Sequence, residues 1–244
     1  MKKAITLLSA LVILSGCITI TNTKVEDLGA SSWEKVAFLV HSGGMLSGSK
    51  VGTMDFNNLY VDWKVPNLDL DAVISSSILP VLETKKEWTV VDSGSFVEDF
   101  KNLQEPYFNV HSHLNVPKDY LLSVRDAGFN GLIVYLPDWS FDDLTDTNQE
   151  GIGVFHRSLF GIKKNWYVAV GKIHLYDLQR PEIDPAVFKI KVSMKSSGDF
   201  AFANTWEEFP YSTKRRIILS VKYMIRDRFP EKIEDLLERI QDSN

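Results

Sequence analysis

His111 and His113 stand two apart in the stretch NVHSHLNV. On an extended segment both rings project to one side, as two metal ligands require. A third ligand is needed, and the sequence singles out none among His41, His156, Asp92 and Asp138. The pair is therefore a candidate metal site set against an ordinary reading as solvated loop histidines. A second candidate is the glycine-rich stretch 41–52, HSGGMLSGSKVG. Backbone N–H groups in such a loop can cradle an anion or another small ligand. Neither the Walker A order nor GxGxxG is present, and Gly48-Ser49-Lys50 has the wrong order for the former. The main expectation here is a flexible loop with Gly44 and Gly48 among its turn-formers. Hydrolytic chemistry has less support. There is no GxSxG elbow, and adjacency of His41 and Ser42 says nothing about triad geometry. Asp142-Asp143 and Glu207-Glu208 read as loop charges. No catalytic residue and no cofactor are assigned, and the chain is expected not to be an enzyme.

The one cysteine, Cys17, follows a basic start (Lys2, Lys3), an uncharged apolar run from Ala4 to Leu14, and the small residues Ser15 and Gly16. This is the three-part order of an export signal. As a helix the 11-residue run spans roughly 16 Å, about half of a ~30 Å hydrocarbon core, so it is too short for a stable span. Leu14-Ser15-Gly16-Cys17 resembles the lipobox of bacterial lipoproteins. The resemblance implies cleavage between Gly16 and Cys17, a diacylglyceryl thioether on Cys17, and the lipid bilayer as a partner through the acylated cysteine. Two or three chains on one residue make an effectively permanent anchor, where a single one binds only marginally. Ile18, in place of the aspartate that retains such proteins at the inner membrane, implies an outer-membrane anchor facing the periplasm. The inner membrane and the cell surface are the alternatives.

Acylation of Cys17 leaves no free thiol, which excludes disulfides, cysteine nucleophiles and cysteine-ligated metals. The precursor has 27 basic and 32 acidic side chains; loss of Lys2 and Lys3 with the leader takes the charge to about −7. A nucleic-acid binder would want a basic domain, so no nucleic-acid partner is expected.

The elements that must position these residues follow from the hydrophobic pattern. Val36–Val40 reads as a central strand buried on both faces. Phe56–Trp63 reads as an edge strand. A helix capped at Asn67 or Asp69 runs to about Thr84, with Pro80 as a kink or interruption. Trp88–Val91 and Gly131–Leu136 are further strands, separated by a helix that begins at Pro117 and stops at Gly128. Beyond Gly153 the chain is strand-rich, with polar/apolar alternation from Gly171 that predicts one solvated face. Ser212 or Thr213 caps a helix to Phe229, Pro230 breaks it, and a short helix follows to Ile240. The fold class is therefore α/β with α+β character in the C-terminal half: a βαβαβ three-strand parallel core extended by antiparallel strands, with C-terminal helices. The expected division is a signal peptide at 1–16, a lipidated cysteine with flexible tether at 17–35, and a single α/β domain at 36–244. The 18 residues from Ile18 to Lys35 would reach at most ~60 Å.

VAFLV, a helix leading into EWTVVD, and LLSVRDAGFNGLIVYL resemble the βαβ domain of the Tol-system translocation protein, the curli-secretion lipoprotein and penicillin-binding-protein activator lipoproteins. None of these relatives carries catalytic residues over. The resulting expectation is an anchored lipoprotein that acts non-enzymatically, through an envelope protein partner, in envelope assembly, secretion or maintenance. The alternative is a small-ligand or metal-binding lipoprotein using the loop 41–52 or the His111/His113 segment. The last long helix carries Lys214, Arg215, Arg216, Lys222, Arg226 and Arg228 outside a core stripe of Ile217, Ile218, Val221, Met224 and Ile225. Its basic face is a candidate for meeting anionic headgroups.

Overall fold

The computed structural model describes residues 23–52, 58–92, 116–142, 147–159 and 162–242. In chain order the strands are β1 (Lys35–Val40), β2 (Leu46–Val51), β3 (Leu59–Trp63), β4 (Thr89–Asp92), β5 (Gly131–Pro137), β6 (Trp139–Asp142), β7 (Thr147–Glu150), β8 (Ile152–Leu159), β9 (Ile162–Asp177) and β10 (Ala186–Lys195). Helix α1 (Leu70–Leu82) lies between β3 and β4, α2 (Lys118–Asp126) between β4 and β5, and α3 (Tyr211–Gln241) follows β10. The class is α/β, as the hydrophobic pattern predicts.

β1 pairs in parallel with β4 on one side and β5 on the other, so β1-α1-β4-α2-β5 is the parallel unit. Its strand order is β5-β1-β4 within a sheet that runs β3-β2-β8-β9-β5-β1-β4. β1 is buried on both faces: Val36, Phe38 and Val40 enter the larger core, and Ala37 and Leu39 enter the smaller one. It is central to the parallel unit only. The hub of the whole sheet is β9, whose 16 residues pair along one edge first with β8 and then with β5, and along the other with β10. The chain crosses between the two halves at once, because β2 leaves β1 to pair in parallel with β8. α1 and α3 pack together over the larger core, and α2 covers the opposite face.

Several local expectations change. The residues expected as a flexible tether are packed from Thr23 onward. Thr23 bridges to Ala186, two 3₁₀ turns follow at Val25–Asp27 and Ala30–Ser32, and Leu28 and Trp33 are 1% and 2% exposed. Apolar side chains scattered through a polar sequence carry no period to read, yet each finds a slot. Trp33 stacks on Trp88 at 5.8 Å and lies over the bare Cα of Gly131. Arg180 donates to Leu28 O at 2.6 Å while pairing with Asp177. Packed structure is therefore present from Thr23, 13 residues ahead of the domain start expected at Val36.

Helix α1 is capped by Asp69, which accepts from Ala72 N at 3.0 Å, and it continues past Pro80 to Leu82. α3 has no break at Pro230 and no side-chain cap at Ser212 or Thr213; Pro210 precedes its first residue. Burial of Phe229, Ile233, Leu236 and Ile240 on the same core holds the helix together through the proline. The expected solvated face of β9 is also covered: His174 and Tyr176 are buried, with Tyr176 in the core under α2.

Candidate functional site

The stretch 41–52 divides into a turn and a strand. Gly43 and Gly44 have φ of 77° and 69°, a left-handed backbone that glycine adopts without steric cost. Gly48 is no turn-former: it lies inside β2, where a Cβ would strike the Trp63 indole. The turn is fastened rather than loose. Ser42 donates both its N–H and its hydroxyl to Asp71 Oδ1, at 2.7 and 2.6 Å. Asp71 sits in the first turn of α1, where the helix dipole favours a carboxylate.

This turn occupies a meaningful place in the topology. The chain proceeds from β1 to β4 on one side and then returns to β5 on the other, so the strand order reverses at the β1/β5 boundary. Ligands of open α/β sheets bind beyond the carboxyl ends of strands at such a point. A depression of about 520 Å³ lies beside this turn at the start of α1, lined by Gly44 and residues 67–71. Its charged groups are Asp69 and Asp71, so the lining has the wrong sign for the phosphate that the glycines invited. Gly44 N–H already points to Ser42 Oγ at 3.3 Å.

At the end of β5, Tyr135 enters the larger core and Asp138 is the first residue beyond the strand. Tyr135 is fully buried and its hydroxyl has no hydrogen-bond partner; a Cβ on Gly171 would come within 2.5 Å of it. Burial, and then the charges of Asp71 and Asp138, push its phenol far above the ordinary range, so it stays protonated at neutral pH. Asp138 meets Lys172 Nζ at 2.8 Å and Lys189 Nζ at 3.2 Å. Its backbone closes the seam between β5 and β8, donating to Val170 O and accepting from Gly151 N. These contacts explain Asp138 as a structural ion-pair centre.

Among the described residues the histidine and carboxylate candidates do not converge. His156 Nδ1 faces Asn165 Oδ1 at 2.6 Å inside the core, and Asn165 donates on to Phe200 O at 3.4 Å. Asp92 accepts from Ser75 Oγ at 3.0 Å. Among the described residues no group of three or more His, Cys, Asp or Glu is placed to hold a metal. His111, His113, Asp143, Gly16 and Cys17 lie outside the described residues. Glu208 accepts from Asn204 N at 3.0 Å, and Glu207 O accepts from Lys214 Nζ at 3.1 Å.

On α3, Ile217, Val221, Met224 and Ile225 are fully buried, whereas Ile218 is only partly covered. Arg216 folds down against Gly198. The outward residues include three that the basic pattern had hidden: Tyr211, Leu219 and Tyr223, at 80%, 55% and 59% exposure. With Arg215 they follow a four-residue spacing, which was legible in the sequence as a second stripe opposite the core one. A groove of about 510 Å³ runs beside them, floored by Trp206 and Ile218 and edged by Pro66. No helix among the described residues is long and apolar enough to cross a membrane.

No family model and no curated protein matches the chain. Among solved structures it is similar to the hypothetical protein CT253 from Chlamydia trachomatis, with 8% identity and a TM-score of 0.38 over 86% of this chain and 97% of that one. An uncharacterized protein aligns with 8% identity and a TM-score of 0.36, over 86% of this chain and 93% of its own. The lipoprotein GNA1162 from Neisseria meningitidis aligns with 12% identity and a TM-score of 0.30, over 78% and 97%. Scores this low assign neither a family nor an activity.

Proposed function

We propose that the chain is an acylated lipoprotein of the bacterial envelope that works through protein contacts rather than catalysis, in assembly, secretion or maintenance of that envelope. The observation that carries the reading is the leader: a basic start, an 11-residue apolar run and Leu14-Ser15-Gly16-Cys17 in register, with packed structure already present at Thr23. Six Cα steps separate Cys17 from Thr23, a span of at most about 20 Å. The body of an acylated chain is therefore held against the membrane surface, facing the periplasm from the outer membrane. In the full-length chain, Cys17→Ser should accumulate as an unprocessed, unlabelled precursor when cells are fed radiolabelled palmitate. A variant still cut at residue 17 and still membrane-bound after a carbonate wash would overturn the reading.

A second reading, a small-ligand lipoprotein, is favoured by the position of the Ser42–Asp71 turn at the reversal point of the parallel strands. The carboxylates there suit a cationic ligand rather than a phosphate. Thermal shifts of the chain from Ile18 against a panel of amines and divalent cations, compared with Asp71→Asn, test it. A shift that Asp71→Asn abolishes supports this reading, and no shift with any member rejects it.

A further inference from the structure

We propose that the outward stripe on the first half of α3 is a docking face for an anionic lipid surface. This goes beyond the anchoring reading, because it requires no acyl chain. The stripe joins two kinds of group in one row. Tyr211, Leu219 and Tyr223 present apolar and amphipathic surface to solvent. Between and beside them stand Arg215, Lys222 and Arg226, and among the described residues none of these three has a carboxylate partner. Aromatic and aliphatic side chains that settle at the headgroup level, flanked by cations, are the composition of an interfacial helix.

Charge is segregated along α3 in a way that a merely solvated face does not need. Residues 211–226 contain five basic side chains and no acidic one, whereas 227–242 contain six acidic and three basic. The first basic residues of the basic half, Lys214, Arg215 and Arg216, also stand close to the helix N-terminus, where the dipole disfavours cations, with no acidic residue in the first turn and no side-chain cap. An anionic surface is the complementary environment for that half and repels the other. Thr23, the first described residue, lies toward the acidic end. Thr23 pairs with Ala186, and Phe188, two residues on, lies beneath Arg239. From Arg239 to Leu219 is 20 residues of helix, about 30 Å. An acylated chain is then held at both ends of α3, by lipid near the acidic end and by the stripe at the basic end. The opposite face of the sheet, which α2 covers, is turned toward the periplasm.

The test uses the chain from Ile18, which retains the whole described core from Val25 to Ile240. It is sedimented with vesicles of phosphatidylglycerol and phosphatidylcholine, or of phosphatidylcholine alone. The expected result is preference for the anionic vesicles at low ionic strength, falling severalfold or more at ~0.5 M salt. Replacing Arg215, Lys222 and Arg226 together by Ser should weaken that binding on the order of a hundredfold. Leu219→Ser with Tyr223→Ser should weaken it while leaving its salt dependence. Lys191→Ser with Lys195→Ser, two exposed lysines of β10, should leave it unchanged. Absence of a preference for anionic vesicles overturns the proposal, as does equal loss in the β10 variant. Binding of a poly-glutamate peptide through Arg215 without any vesicle binding overturns it too, and reassigns the stripe to an acidic protein partner.

Discussion

Tyr135 has its hydroxyl sealed beside Gly171, and Tyr176 is buried under α2. Burial raises both phenols well above the ordinary tyrosine value of about 10. The sign of the consequence follows from linkage. Below about pH 10 both phenols are neutral in folded and unfolded chains alike and no stability depends on them; above it only the unfolded chain releases the protons, so stability falls as pH rises. Alkaline titration should therefore show tyrosinate absorbance from the exposed tyrosines first, with that of Tyr135 and Tyr176 appearing only together with loss of circular dichroism. Non-cooperative ionisation of all tyrosines near pH 10 would contradict this. Tyr135→Phe should be neutral or stabilising in urea, because the hydroxyl it deletes is desolvated and unpaired. Gly171→Ala should cost about 1–3 kcal/mol, because its methyl group has no room beside the Tyr135 ring.

At the scale of elements, β1 and α3 each make a claim that can be measured. Leu39 is 1% exposed in the core beneath α2, so Leu39→Asp should cost several kcal/mol and lower the melting temperature sharply. An unchanged melting temperature would remove β1 from the core. In α3, Pro230 offers no N–H to Arg226 O, and its ring crowds the preceding turn. Tertiary burial on both sides of it outweighs a local cost of roughly 3 kcal/mol. Pro230→Ala should accordingly raise the urea midpoint, with gain of one helical hydrogen bond. A fall in the midpoint would show that the proline itself is needed to seat Phe229 against Tyr135, 5.7 Å away.

For the whole molecule the decisive quantity is reach. In the proposed anchored form the six Cα steps from Cys17 to Thr23 span at most about 20 Å, rather than the ~60 Å expected from composition, too little for the body to cross a periplasm. The βαβαβ order, the doubly buried VAFLV run, the edge strand ending at Trp63 and the basic half of α3 were all determined by the sequence alone. Each is a local pattern, of periodicity, capping or charge, that any partner would leave intact. The sequence could not show that β9 is one long strand serving both halves of the sheet. It could not show that β2 crosses to β8, or that Leu28 and Trp33 are core residues. Nor could it bring Asp138, just past β5, together with Lys172 of β9 and Lys189 of β10. These outcomes depend on the register of strands far apart in the chain, and a side chain's burial there is decided by what lies opposite it. Glycines show the difference most plainly. Gly43 and Gly44 are glycine for their own backbone, which the sequence can signal, whereas Gly48, Gly131 and Gly171 are glycine because an aromatic ring from another segment rests on them, which only the tertiary structure decides.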